Sequence, residues 1–436
     1  MQFRYCYGGL YVDAGWGSVV LPPASFTHAC IGVSPGGSVG MTLGNVYVCF
    51  VNCLYELRDS GHVSLTGTLS GCPAGMDVDV TQDLLLVYNS SSTDSGTVKD
   101  YYLQHRPMVN GAMVMSISVP TINETILTND ITTLIVQPIA DWLSTNGNKQ
   151  PKYIVLFPNT PTRVNDFYSP FYLNENNTNF QYFQNANKHA SVSVQIANAF
   201  SWKPYVTYIS MGSVAACQAY IDKLEAMGKR YAQNHPGNVT ISASGTGYSN
   251  GRYYFDDTRR SDEWNAPDYG YSARNGALNA GVSSTSITYS NTHEVVGDQL
   301  TYHISTGSDV SGYLCWGNHS NLGNSYATDG TVTWSDNSGW WVIETIESSN
   351  GERYQTDYAN YTQWFQAGAF VGGLSYSATP VGAVTQVDEP GPYWGEVNNP
   401  SLYFGNWASG LNFATCAWGS RQTIFFAAFG DPLVTK

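Results

Sequence analysis

The sequence predicts an α/β fold, a mainly parallel sheet flanked by helices, preceded by a small all-β segment. Three observations carry this. From Asp83 onward, short runs rich in Val, Ile, Leu and Tyr alternate with stretches of helical period, as in strand–helix–strand units. Those runs are too short for helices and close on Gly, Asn or Pro. Before residue 78 no helical period occurs, and Gly and Pro separate brief apolar pieces. The division expected is a β-rich appendage at 1–77 and an α/β domain at 78–436.

In the appendage, Ser18–Leu21, Asn45–Val51 and His62–Leu69 read as short antiparallel strands. Cys6, Cys30, Cys49, Cys53 and Cys72 allow two disulfides with one cysteine left over, in a pairing that spacing cannot fix. Cys49 and Cys53 would need His28 and His62 to complete a zinc site, and no metal or cofactor is expected.

In the main domain Leu84–Tyr88 is a buried strand, followed by the turn Asn89–Ser95 and a helix over Thr97–His105. Met113–Ile117 is the next strand. Asn129 or Asp130 caps a helix running to Leu143, kinked by Pro138. Strands at Tyr153–Phe157 and Val206–Ile209 precede an amphipathic helix over Val214–Met227. The Asn-, Tyr- and Gly-rich stretches 166–200 and 245–300 are expected as long loops covering a site. Strands follow at 312–316, 341–346 and 381–387, with helices at Tyr361–Phe370 and Ser401–Ala408. Thr415–Phe429 reads as one apolar helix stopped by Gly430-Asp431-Pro432.

Composition removes some functions. Lys plus Arg total 19 against 33 Asp plus Glu, a formal charge of −14, and no basic block occurs, so nucleic-acid binding is not expected. No run of 18 apolar residues exists to span a membrane. Charged residues make up only 12 %, so neutral polar side chains supply solubility, a habit of exported proteins, and an extracellular or cell-surface location is expected. The start, Met1-Gln-Phe-Arg, lacks the charged-then-apolar pattern of a signal peptide.

The candidate chemistry lies at two strand ends. One strand closes on Asn318-His319-Ser320 and the other on Glu347-Ser348-Ser349-Asn350-Gly351. If these strands are parallel neighbours, an imidazole and a hydroxyl face each other, the minimum for a nucleophile activated by a base. His319 is the candidate base, Ser348 the nucleophile, and Glu347 a carboxylate able to orient the imidazole. Asn318, Asn350, Asp388 and Glu389 fall on the same expected rim as substrate contacts, and Arg163 ends another strand where it can receive a carboxylate. The dense tryptophans, Trp334, Trp340, Trp341 and Trp407 among them, read as core before they read as a sugar platform.

Several segments resemble a large uncharacterised family of exported bacterial proteins. They are Leu85–Ser95, Tyr101-Tyr102, Ile135–Ile139, Tyr153–Arg163, Pro380–Val384 and Gly430–Val434, and the resemblance covers about residues 83–436. More distantly, the order of elements resembles the caspase-type fold of gingipain-like cysteine peptidases. There one strand ends in Gly-His-Gly, the next in a catalytic cysteine shortly before a glycine, and the domain closes on Gly-Asp-Pro. Gly317-Asn318-His319 falls at the first position. Ser348, three residues before Gly351, falls where the cysteine would be. The resemblance thus implies either a serine variant of the dyad or a peptidase fold that has lost its chemistry, since serine needs stronger base and oxyanion support.

Three functions fit these residues. The preferred one is a non-catalytic binding or structural component of a surface or filament, whose partners are further copies of itself or cell-surface glycans. The second is a secreted hydrolase or peptidase with a Ser348–His319 dyad. The third is a glycan-active enzyme with paired carboxylates drawn from Glu344, Glu347 and Asp388.

Overall fold

A computed structural model gives the architecture. It describes residues 2–7, 10–14, 29–32, 78–120, 124–165, 189–228, 241–242, 251–256, 268–290, 304–316, 332–336, 338–354, 360–366, 368–370, 378–388 and 397–436. The chain divides into two compact units, Met1–Asp77 and Val78–Lys436. In the first, Gln2–Tyr7 pairs antiparallel with Leu10–Ala14 and with Ala29–Gly32. The apolar pieces expected at 18–21, 45–51 and 62–69, and the side chains of the five N-terminal cysteines, lie outside the described residues.

The second unit is built on one ten-stranded sheet. In chain order its strands are β1 (Leu84–Asn89), β2 (Met113–Ile117), β3 (Tyr153–Leu156), β4 (Tyr205–Tyr208) and β5 (Arg252–Asp256). They continue with β6 (Ile287–Ser290), β7 (Val310–Trp316), β8 (Val342–Ile346), β9 (Gly382–Gln386) and β10 (Phe426–Gly430). Across the sheet the order is β6-β5-β7-β8-β9-β10-β4-β3-β1-β2. Every neighbouring pair is parallel except β9 and β10. The sheet is therefore two parallel halves running in opposite directions, each containing four strands in the order second, first, third, fourth. The direction of winding reverses between the first and third strands of each half, the place where open α/β sheets bind ligands.

Helices cover the sheet because its strands are apolar on both faces. Leu84, Leu85, Leu86 and Val87 are all fully buried, as a parallel strand between two helical layers requires. The helices are α1 (Thr93–His105), α2 (Gln137–Thr145), α3 (Val192–Ala199), α4 (Val214–Gly228), α5 (Tyr269–Asn279), α6 (Pro400–Ala408) and α7 (Phe413–Ser420). Ser92 caps α1, its hydroxyl accepting from the Ser95 N–H at 3.3 Å. The kink expected at Pro138 is absorbed by a π-helical turn over Thr132–Val136, which lets proline enter α2 in its first turn. Helix α7 packs onto glycine: a Cβ at Gly382 of β9 would come within 2.3 Å of the Phe413 ring.

Three expectations need correction. Thr415–Phe429 is not one helix but α7 followed by β10. Phe426, Ala427, Ala428 and Phe429 are all fully buried, and a strand covered on both faces carries no period-2 signal. The stretches expected as loops at 166–200 and 245–300 contain α3, β5, α5 and β6. Their polar and tyrosine-rich residues belong partly to a sheet edge, where β6 is half exposed. The helix expected over Tyr361–Phe370 is a single turn, Tyr361–Trp364, capped by Asn360.

Candidate functional site

The strands that lead into the two sequence motifs are parallel neighbours. Gly312 to Trp316 of β7 pair in register with Val342 to Ile346 of β8. His319, Asn318 and Glu389 lie outside the described residues. Ser348 stands two residues beyond Ile346 and is 8 % exposed. Its backbone N–H and its hydroxyl both donate to Glu347 Oε1, at 3.0 and 3.3 Å.

The turn after Ser348 is stitched to β9. Asn350 Nδ2 donates to Thr345 Oγ1 at 2.6 Å, and the Gln386 N–H donates to Asn350 Oδ1 at 2.7 Å. Asn350, expected as a substrate contact, is fully buried and positions the turn. The Gly351 N–H donates to Gln386 O at 2.8 Å, and a Cβ there would lie 2.6 Å from Thr385 Oγ1. Ser349 has φ +55°, a left-handed conformation that is costly for serine, and its N–H donates to Asp388 O at 3.3 Å.

A small side sheet brings further groups to this rim. Arg163–Asn165 pairs with Thr125–Leu127 on one side and with Ala190–Ser191 on the other. Arg163 Nη1 lies 2.6 Å from Glu352 Oε1, so the carboxylate it receives comes from the same turn. Burial pushes the Glu352 carboxyl above its usual range, against the opposing pull of a Ser349 hydrogen bond and of Arg163. His189, just before Ala190, donates its backbone N–H to Asp388 Oδ2 and sets its ring Nδ1 3.1 Å from the same oxygen. Asp388, expected as a substrate contact, thus holds an imidazole.

The turn then reaches toward the other half of the sheet. The N–H groups of Arg353 and Tyr354 donate to the Glu124 carboxylate, which also accepts from Thr162 Oγ1 at 2.9 Å. Arg353 Nη1 donates to Asn159 Oδ1 at 2.9 Å, just past the end of β3. Two clefts result. One of about 630 Å³ is lined by Glu124, Leu127, Arg163, Asn165, Glu352 and Tyr354, with Leu127 and Tyr354 51 % and 61 % exposed at its lip. The other, about 400 Å³, lies among Ser92, Asp94, Asn159, Ser213 and Arg353 at the ends of β1, β3 and β4.

Other candidates fall elsewhere. Glu344 is enclosed in the core, and neither carboxylate oxygen has a partner among the described residues. Glu347 and Asp388 stand at the rim, joined there by Glu352 and Glu124. Trp334, Trp340, Trp341 and Trp407 are fully buried core residues. One set of groups among the described residues could hold a metal ion: His105, Asp222 and Glu225, whose ligand atoms lie within 4.8 Å of one another between α1 and α4. As it stands, His105 Nδ1 is paired with Glu225 Oε2 at 2.8 Å.

The arrangement can support nucleophilic acyl transfer, given two hydroxyls on a fixed turn, a carboxylate-held imidazole and a guanidinium beside a cleft. His189, Glu352 and Glu124 have no signal in the sequence. His189 closes an Asn-rich stretch and reaches the rim through strand pairing that local pattern does not reveal.

Neither a protein-family profile nor a curated protein sequence matches the chain. One solved structure, described as the structure of a protease, aligns with 82 % of this chain and 79 % of its own at 10 % identity, with a TM-score of 0.41. At that score the likeness carries no functional weight.

Proposed function

We propose that this protein is a secreted hydrolase working at the carboxyl ends of β7 and β8, with Ser348 as nucleophile and a histidine as base, the place the order of motifs gives to His319. The observation that supports this most is the in-register parallel pairing of the two strands, whose last partners are Trp316 and Ile346. Residues 319 and 348 each follow closely on neighbouring strand ends, where an open α/β sheet presents its chemistry. The caspase-type order of motifs agrees with the same assignment, and the sparse charge of the chain agrees with export. The cleft beside Arg163, Glu352 and Tyr354 would receive the substrate, its exposed Leu127 and Tyr354 contacting apolar groups and its charged floor orienting a polar one.

A fluorophosphonate probe tests this, because it reacts with activated serine hydroxyls. The expected result is labelling that maps to Ser348 and disappears in Ser348→Ala. Folded protein that takes no label decides against the hydrolase. It would favour the second reading, a non-catalytic surface or filament component that binds glycans or its own copies. That reading is supported by the low exposure of Ser348 and by its hydroxyl being held on Glu347.

A further inference from the structure

We infer that His189, held by Asp388, is the general base of the serine turn, in place of the histidine that the strand-end motif suggests. The inference rests on the hydrolase reading. His189 is attached at two points: its backbone N–H and ring Nδ1 both address Asp388 Oδ2, the latter at 3.1 Å. A ring fixed at its own backbone and at Nδ1 has little rotational freedom left. The carboxylate can only accept, so Nδ1 carries the proton and Nε2 presents its lone pair, the tautomer a base requires.

Asp388 also touches the serine turn directly. Its backbone oxygen accepts the Ser349 N–H at 3.3 Å, so one residue links the imidazole and the hydroxyl-bearing turn. The side chains of His189 and Asp388 are 25 % and 14 % exposed, shielded enough to hold their geometry and open enough to meet substrate. Among the described residues, His189 Nε2 has no hydrogen bond. Ser349, in its left-handed conformation, holds the turn in a strained shape, and such strain at a strand end is characteristic of functional turns.

The step balances without further reagents. Ser348 Oγ bonds to the acyl carbon while its proton passes to His189 Nε2. That proton goes to the leaving group as the old bond breaks. A water then loses a proton to Nε2 as its oxygen bonds to the acyl carbon, and that proton returns to Ser348 Oγ as the acyl–serine bond breaks.

The test compares probe-labelling rates of wild type, His189→Gln, Asp388→Asn and His319→Ala, with thermal melts to show that each variant is folded. His189→Gln should slow labelling on the order of 100-fold or more, the usual share of a general base. Asp388→Asn can keep the shape but offers Nδ1 a donor, moving the proton to Nε2, so it should slow labelling and displace the pH–rate profile. A merely structural Asp388 would leave that profile in place. If His189→Gln labels at the wild-type rate while His319→Ala does not label, this inference fails and the hydrolase reading stands. If folded wild type takes no label, both fail.

Discussion

Glu344 is a carboxyl placed where a charge has no support. It lies on β8 beneath α6, and burial pushes its pKa from 4.5 up to about 8. The sign of the effect on stability follows from linkage. Between roughly pH 4.5 and 8 the folded chain keeps this proton while the unfolded chain has lost it, so stability falls as pH rises across that window. The slope is about 1.4 kcal/mol per pH unit. Below the window both states are protonated, and above it both are ionised. Glu344→Gln removes the titration while keeping the shape. Urea melts of the two proteins should therefore show the variant gaining on wild type by about 1.4 kcal/mol per unit from pH 5 to pH 8. A gap that stays constant with pH would show that Glu344 finds a partner in solution. Lys223, equally buried with its ammonium on Thr379 O, Thr379 Oγ1 and Pro380 O, is common to both proteins and cancels in the comparison.

At the scale of elements, the rim depends on how firmly the turn after β8 is pinned to β9, and Asn350 is the pin. Its amide bridges Thr345 and Gln386 in a site without water access, so Asn350→Ala leaves the Gln386 N–H and the Thr345 groups short of partners. The expected cost is about 1–3 kcal/mol in chemical denaturation, together with slower probe labelling because Ser348 loses its fixed place. A variant of unchanged stability would mean that water replaces the amide. Asn350 also shows what local pattern conveys. The residues of this turn were legible as a strand-end cluster because Trp340 to Ile346 is a short apolar run closed by polar residues. The role of Asn350 was not legible, because its partners come from β8 and from a strand more than thirty residues later. The same reasoning explains β5 and β6. Arg252-Tyr-Tyr-Phe-Asp256 and Ile287-Thr-Tyr-Ser290 mix polar with aromatic residues, and only their pairing to β7 and to each other makes them strands. His189 is the furthest case, since its position depends on a side sheet assembled from three distant segments.

At the scale of the molecule, the ten strands of the sheet and the seven helices described above belong to Val78–Lys436, which is tied together by contacts within it. Asp431, directly after β10, shows how. Tyr102 and Arg106 of the first half reach its Oδ2 at 2.9 and 3.1 Å, and its own N–H donates to Tyr220 of α4 at 2.7 Å. The chain's last strand in the sheet is thereby locked to the helix that follows the sheet's first strand. The cysteines of this unit, Cys217, Cys315 and Cys416, are buried, and with the thiols of Cys217 and Cys416 free, no disulfide joins any two of them. A unit of this size with a continuous apolar core has enough buried surface to fold alone. Removal of residues 1–77 should therefore leave a chain that melts in one cooperative transition, at a temperature that does not change when reductant is added. Loss of the cooperative transition on truncation would place part of the core's support in the N-terminal unit. A reductant-sensitive melt would show that at least two of the three thiols are bonded, against their separate burial on α4, β7 and α7.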